Sequence, residues 1–280
     1  DHFEQWNAKQ LANPVGTADY LSTHFVETTS DVDLKKATRE FVTAATLALP
    51  IGLERRLAMM RDQIAGSPQK DKMKIAFTEW LYVPGSSRAK NVPQYDNFAG
   101  ALTTAGTLNM LMRSSSFVPV SDMTGIIEFG GIWKKRGVFY RTPASYVLGM
   151  FGGAPIDRLL PVKVNSGSYS IQNGSSRIPD IPDVPYLDVD AAVSKDGHTI
   201  TVFVVNRSQD ADISSTLHLP GLHAGAVGEA QTLSSPSIYA GNDEEQPEAI
   251  TPQTKPVKAG PEFKYTFPRT SFTVLTLPVK

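Results

Sequence analysis

The chain has 280 residues, 41% hydrophobic and 20% charged, with a net charge of −1 and no cysteine. This balance supports one large globular domain or two ordinary ones. Near-neutral charge without a block of five like charges argues against a nucleic-acid or anionic-membrane partner, and the lack of cysteine excludes disulfides and thiolate metal sites.

Residues 3–11 carry a short helical pattern. Ala18 to Phe25 reads as a strand with its polar residues, ending in His24, at the far end. Two helices are expected next, split at Pro50 and Gly52, because proline lacks an N–H and clashes with the preceding turn. Leu34, Ala37, Phe41, Ala44, Ala45 and Ala48 share one face of the first, and Leu53, Leu57, Met60 and Ile64 one face of the second. Gly66-Ser67-Pro68 closes that helix.

Met73 to Trp80 then reads as a buried strand with Glu79 and Trp80 at its C-terminal tip. After a loop with Pro84, Gly85 and Pro93 comes the cleanest helical stripe: Phe98, Ala101, Leu102, Ala105, Leu108 and Met112. Residues 117–129 read as one more buried strand with a polar end. Thr142 to Met150 reads as a closing helix with proline near its start.

Strand–helix alternation over residues 1–151 implies a parallel α/β sheet. Three strands cannot close a barrel that needs eight. Either the sheet is small and open, or it is the last part of a barrel whose first part lies elsewhere.

From residue 152 the pattern changes to all-β. Val184–Ser194 and Thr199–Asn206 are joined by the hairpin signal Lys195-Asp196-Gly197-His198. Ile213–Leu219, Gly228–Leu233, Phe263–Phe267 and Phe272–Leu277 continue the series, while residues 234–261 read as a long surface loop. Short strands with turns between them make residues 152–280 a β-sandwich.

Glu79 leads the chemical candidates. A carboxylate at the end of an apolar strand is expensive to bury without a role. It suits a retaining glycosidase, in which one carboxylate attacks the anomeric carbon and another protonates the leaving oxygen. A structural acid paired with arginine fits the spacing equally well. His24 could hydrogen-bond a nucleophile or a sugar hydroxyl, or be an ordinary core histidine. Trp80, Tyr82 and Trp133 could stack on sugar rings, or simply pack. Glu128 faces either a pocket or solvent.

The histidines are scattered and no metal-ligand spacing occurs, so no metal site is expected, and hydrolysis by two carboxylates would leave no task for a metal or an organic cofactor. Ser86-Ser87 and Ser114-Ser115-Ser116 lack a nucleophile elbow. Asn173-Gly174-Ser175 and Asn206-Arg207-Ser208 match glycosylation sequons.

Several segments resemble the C-terminal part of family 51 glycoside hydrolases, the α-L-arabinofuranosidases. Asp19-Tyr20-Leu21-Ser22-Thr23-His24 resembles the sixth barrel strand of that family. Ile75-Ala76-Phe77-Thr78-Glu79-Trp80 resembles its seventh, which carries the nucleophile. Asp183 to Asp188, and Phe203-Val204-Val205-Asn206-Arg207-Ser208, resemble strands of its sandwich.

The resemblance implies the C-terminal part of a (β/α)8 TIM barrel followed by a β-sandwich, with Glu79 as nucleophile and His24 and Trp80 at the substrate. The family's acid/base lies in an Asn-Glu pair that these residues do not contain. Leu81, Val26 and Gly125 stand where the family often has Asn, Tyr and Gln.

On this resemblance the chain is part of a retaining hydrolase that releases terminal L-arabinofuranose from α-linked substrates. Its partners would be the carbohydrate and the upstream barrel part, in the same polypeptide or a second chain, and an unpaired sheet edge leaves room for an oligomer. Three alternatives stand beside it: a non-catalytic carbohydrate-binding protein on the same scaffold, a related glycosidase acting on xylose or glucose linkages, and an inactive fragment. The first residues show neither a signal peptide nor a start methionine, which reads as a boundary set by cleavage or cloning.

Overall fold

A computed structural model describes residues 3–28, 37–83, 91–172, 180–220 and 226–279. Leu34, Pro84 and Gly85 lie outside these residues. In chain order the first part comprises α1 (Phe3–Leu11), β1 (Tyr20–Thr28), α2 (Arg39–Ala65), β2 (Lys74–Val83) and α3 (Phe98–Ser114). It continues with β3 (Val120–Met123), the hairpin β4 (Ile132–Lys135) and β5 (Val138–Arg141), and α4 (Pro143–Gly152).

β1, β2 and β3 form a parallel sheet in that order. One face packs on helices: Ile75 and Phe77 of β2 meet Leu53, Leu57 and Met60 of α2 and Met110 of α3. On the other face, Ser22 and His24 are exposed. The three strands close no barrel among the described residues.

The sequence reading is corrected at three places. Residues 39–65 form one helix that runs through Pro50. Proline costs one ladder bond, but burial of Leu47, Leu49, Pro50 and Leu53 holds the helix together across the break. Proline's ring also seats against Gly106 of α3, where an added Cβ would come within 3.1 Å of it. Residues 117–129 give only the short strand β3, largely exposed, at the edge of the sheet. The hairpin β4–β5 was not expected; it turns at Arg136 and Gly137, both with positive φ.

The remaining strands are β6 (Arg158–Leu160), β7 (Ser168–Ile171), β8 (Ile181–Pro185), β9 (Leu187–Val193) and β10 (Thr199–Asn206). After them come β11 (Ile213–His218), β12 (Ala226–Ser234), β13 (Gln253–Ala259), β14 (Glu262–Phe267) and β15 (Ser271–Pro278). Six of them make an antiparallel sheet in the order β13-β12-β15-β10-β9-β6.

β10 and β15 are buried on both faces, which explains their unbroken apolar runs. On one face Val202, Val204, Leu275 and Leu277 pack under the two-stranded β11–β14 sheet. On the other, Phe203, Val205, Phe272 and Val274 pack against Phe98 and Leu102 of α3 and Val147 and Phe151 of α4. The Phe151 ring stacks on Phe203 at 4.6 Å and on Phe272 at 5.2 Å. A single core therefore crosses the change of structural class near residue 152. Each fully buried phenylalanine contributes about 1.5–3 kcal/mol to it.

Two further differences concern this half. Val184–Ser194 is broken at Tyr186 between β8, which pairs with β7, and β9. Residues 234–261 are not all loop, because β13 pairs along β12. Its polar sequence and Pro256 fit an edge strand, where a missing N–H costs no ladder bond. Asn242 anchors the preceding segment, its Nδ2 donating to the Arg141 and Ile250 carbonyls at 2.9 and 3.0 Å.

Charge joins the two halves as well. Arg113, in the last turn of α3, grips Glu54 of α2 through Nε and Nη2, both at 2.8 Å. Its Nη1 reaches Asp188 and Asp190 of β9 at 2.8 and 2.6 Å. Arg207, just past β10, donates from Nη2 to Asp188 at 2.5 Å and from Nε to the Leu47 carbonyl at 2.9 Å, in the helical turn before Pro50.

Burial alone would raise the Asp188 carboxyl, but Arg207 and Arg113 outweigh it and hold the group below the usual carboxylate range. Asp190 behaves oppositely. Burial pushes it up to about 7, Arg113 opposing and Asp188 adding its like charge.

Replacing Arg207 by leucine leaves Asp188 buried with half its compensation. The expected loss is about 3–5 kcal/mol of unfolding free energy in the full-length protein, read by denaturant titration; a loss below about 1 kcal/mol contradicts this role. For Asp190, the folded value lies above the unfolded value of about 3.9. Its stabilising contribution is therefore complete below about pH 4 and is lost as the pH rises through about 7. Asp190→Asn should accordingly gain stability over the wild type at about pH 8 relative to about pH 5. An equal difference at the two values contradicts the assignment.

Candidate functional site

The open face of the β1–β2 sheet is shaped by one irregularity. Thr23 lies opposite Phe77 and His24 opposite Glu79, so Thr78 is an extra residue on β2. Consecutive side chains of a regular strand point to opposite faces. The bulge re-aims them, and both Thr78 and Glu79 reach the His24 ring.

His24 Nδ1 lies 3.3 Å from Glu79 Oε2, and its Nε2 lies 3.0 Å from Thr78 Oγ1. Ser22 Oγ is 2.7 Å from the same Thr78 oxygen. The His24 and Glu79 side chains are 57% and 37% exposed, so a ligand on this face can reach both. Glu79 lies within β2, four residues before its end at Val83, rather than at its tip.

Trp80 follows the bulge into the core behind the sheet. It is 3% exposed, clusters with Leu53 and Phe77, and its indole N–H is buried without a partner. It therefore does not form an exposed stacking wall beside Glu79. Tyr82 is buried too, its hydroxyl donating to the Pro93 carbonyl at 3.4 Å. Trp133 stacks on Tyr140 across the β4–β5 hairpin at 6.5 Å, and its Nε1 donates to the Phe129 carbonyl at 2.8 Å. Glu128 is exposed in the loop after β3, at positive φ.

Gly125 has φ +76°, and a Cβ there would come within 2.8 Å of Phe129, so no larger residue fits without rearrangement. Leu81 is buried, and Val26 pairs with it in the β1–β2 register.

Asn206 is fully buried, and its Nδ2 donates to the Phe267 and Pro268 carbonyls at 3.0 and 2.9 Å. A glycan cannot be attached there without unfolding this corner. The Asn173 sequon and Ser86-Ser87 lie outside the described residues. Among the described residues no three His, Asp or Glu side chains converge as metal ligands.

A cavity of about 450 Å³ lies within the sandwich, lined mainly by aliphatic residues including Leu160, Val162, Leu187, Val202 and Leu217. It contains neither His24 nor Glu79.

Sequence reasoning missed Thr78 and Ser22. Serine and threonine in strands carry no signal, and the bulge that aims Thr78 has no sequence mark.

By class, this is a small parallel sheet backed by helices and fused to an antiparallel β-sandwich. Residues 78–271 match the family model described as the alpha-L-arabinofuranosidase C-terminal domain, and the chain belongs to that family.

"Probable alpha-L-arabinofuranosidase C" of Aspergillus clavatus is 28% identical over 208 residues, covering 72% of this chain and 39% of that protein. "Intracellular exo-alpha-(1->5)-L-arabinofuranosidase 1" of Bacillus subtilis is 22% identical over 259 residues, covering 86% of this chain and 48% of that protein. An alpha-L-arabinofuranosidase from Thermotoga maritima, solved with arabinose, superposes with a TM-score of 0.83 at 23% identity. That superposition covers 99% of this chain and 56% of the other, and it fixes the fold. The chain spans about half the length of the curated relatives it matches. It corresponds to the C-terminal part of the family 51 glycoside hydrolases.

The placement of Trp80 generates a test. Trp80→Phe in the full-length protein should cost about 1–3 kcal/mol of stability through the cavity it leaves, read by denaturant titration. A loss below about 0.5 kcal/mol would instead place the indole outside the core.

Proposed function

We propose that the full-length protein is a retaining α-L-arabinofuranosidase, with Glu79 as nucleophile and with its acid/base on barrel strands upstream of these residues. Residues 1–151 are the proposed C-terminal part of the barrel and 152–280 the proposed sandwich. The observation that carries the reading is the half-buried Glu79 carboxylate beside His24 on the open face of a parallel sheet, in a chain of the arabinofuranosidase family.

The chemistry divides into two displacements. Glu79 attacks the anomeric carbon while the second carboxyl protonates the departing oxygen. Water, deprotonated by that same group, then cleaves the glycosyl-enzyme. Two carboxylates do all the proton and covalent work. Activity requires the upstream part, because these residues bring one carboxylate and only three of eight strands.

Gly125 stands where the family often has Gln and carries no side chain to offer a sugar, which supports a looser hold. A non-catalytic carbohydrate-binding protein on the same scaffold is the competing reading.

Glu79→Ala in the full-length protein should lower turnover of an aryl α-L-arabinofuranoside by several orders of magnitude, with partial rescue by azide. Near-normal turnover refutes the nucleophile. Preference for an aryl xyloside or glucoside refutes the sugar while leaving the mechanism. Binding of arabinan fragments without turnover, in protein with both carboxylates, establishes the competing reading.

A further inference from the structure

We propose that Thr78 is a positioning residue: its hydroxyl donates to Nε2 of His24, so that the ring proton sits on Nδ1 and is donated to Glu79. This inference rests on the reading of Glu79 as nucleophile.

An ionised carboxylate only accepts hydrogen bonds, and a neutral imidazole offers one donor and one acceptor. Nδ1 stands at ion-pair distance, 3.3 Å, from the Glu79 oxygen, so a neutral His24 that turns a donor to the carboxylate carries its proton there. Nε2 is then the acceptor, and the group beside it must donate. That group is Thr78 Oγ1, at 3.0 Å.

With its hydrogen committed to His24, the Thr78 oxygen can still accept one, and Ser22 Oγ stands 2.7 Å away to supply it. All contacts then run one way, from Ser22 to Thr78 to His24 to Glu79. The opposite tautomer would turn a lone pair on Nδ1 toward the carboxylate and break the chain at its last member.

Backbone geometry supports a dedicated arrangement. Two adjacent β2 side chains reach one ring only because the bulge falls at Thr78. Hydrogen bonds through the ring's second nitrogen are a general means of setting a histidine's tautomer.

The test combines a spectroscopic and a kinetic readout on the full-length protein. Selective ¹⁵N labelling of histidine, with His24 assigned by its loss in His24→Asn, reports which ring nitrogen is protonated at about pH 8. The expected state is the Nδ1–H tautomer. Thr78→Val keeps the β-branched shape and removes the hydroxyl. It should abolish the tautomer preference and lower kcat about 10- to 100-fold, with KM little changed. Thr78→Ser should restore both.

An Nε2–H tautomer or an imidazolium in the wild type overturns the proposal. So does a Thr78→Val variant with wild-type nitrogen shifts, or a Thr78→Ser variant as defective as the valine. Should Glu79→Ala remain active, the nucleophile assignment fails, while the nitrogen shifts still decide the direction of the hydrogen bonds.

Discussion

The fold depends on one buried carboxylate. Asp188, on β9, receives a guanidinium from Arg113 of α3 and another from Arg207 beside β10. A fully buried charge is tolerated only when it is paired and hydrogen-bonded. Here the pairing can be completed only with the helices and the six-stranded sheet in register. Arg207 extends the constraint to α2, donating to the Leu47 carbonyl one turn before Pro50. Gly106 on α3 leaves the space this needs, since a Cβ there would lie 3.2 Å from the Arg207 guanidinium. Apolar packing of Phe151 between Phe203 and Phe272 supplies affinity between the halves, and the ion cluster supplies register.

That rigid junction has a consequence for the site. α2 and α3 are the helices that back β2, through Leu53, Leu57 and Met110 against Ile75 and Phe77. The sandwich thus clamps the helices, and the helices fix the strand that carries Glu79. The six-stranded sheet thus buttresses β2 from the opposite side of α2 and α3. Among the described residues, the face bearing Ser22, His24, Thr78 and Glu79 is the one turned away from those helices.

Much of this could be read in the sequence. The apolar run Ile75–Phe77 ending in an acid marked β2 and Glu79, and the stripe from Phe98 to Met112 marked α3. Thr199–Asn206 and Phe272–Leu277 were marked as strands, though not as strands buried on both faces. Other features could not be read, for physical reasons. Pro50 signals a helix break by local chemistry, and only tertiary burial around it overrides that signal. A bulge has no residue signature when a threonine occupies it, so the joint aim of Thr78 and Glu79 was hidden, as was the turn of Trp80 into the core. The polar strand β13 resembles a loop because an edge strand need not be apolar. Asp188 and Asp190, two residues apart on one strand, share a face, but their partners Arg113 and Arg207 are brought to them only by the fold.

The central claim is that the bulged strand β2 presents Glu79 as the group that forms the covalent bond. It is tested most directly by trapping that bond. The full-length protein is incubated with an activated arabinofuranoside whose 2-hydroxyl is replaced by fluorine, which slows breakdown of a glycosyl-enzyme. It is then digested and mapped by mass spectrometry. The account predicts one added fluoroarabinosyl unit, on the peptide containing Glu79 and on that carboxylate. A sugar attached to any other residue, or stoichiometric inactivation with Glu79 unmodified, would contradict it.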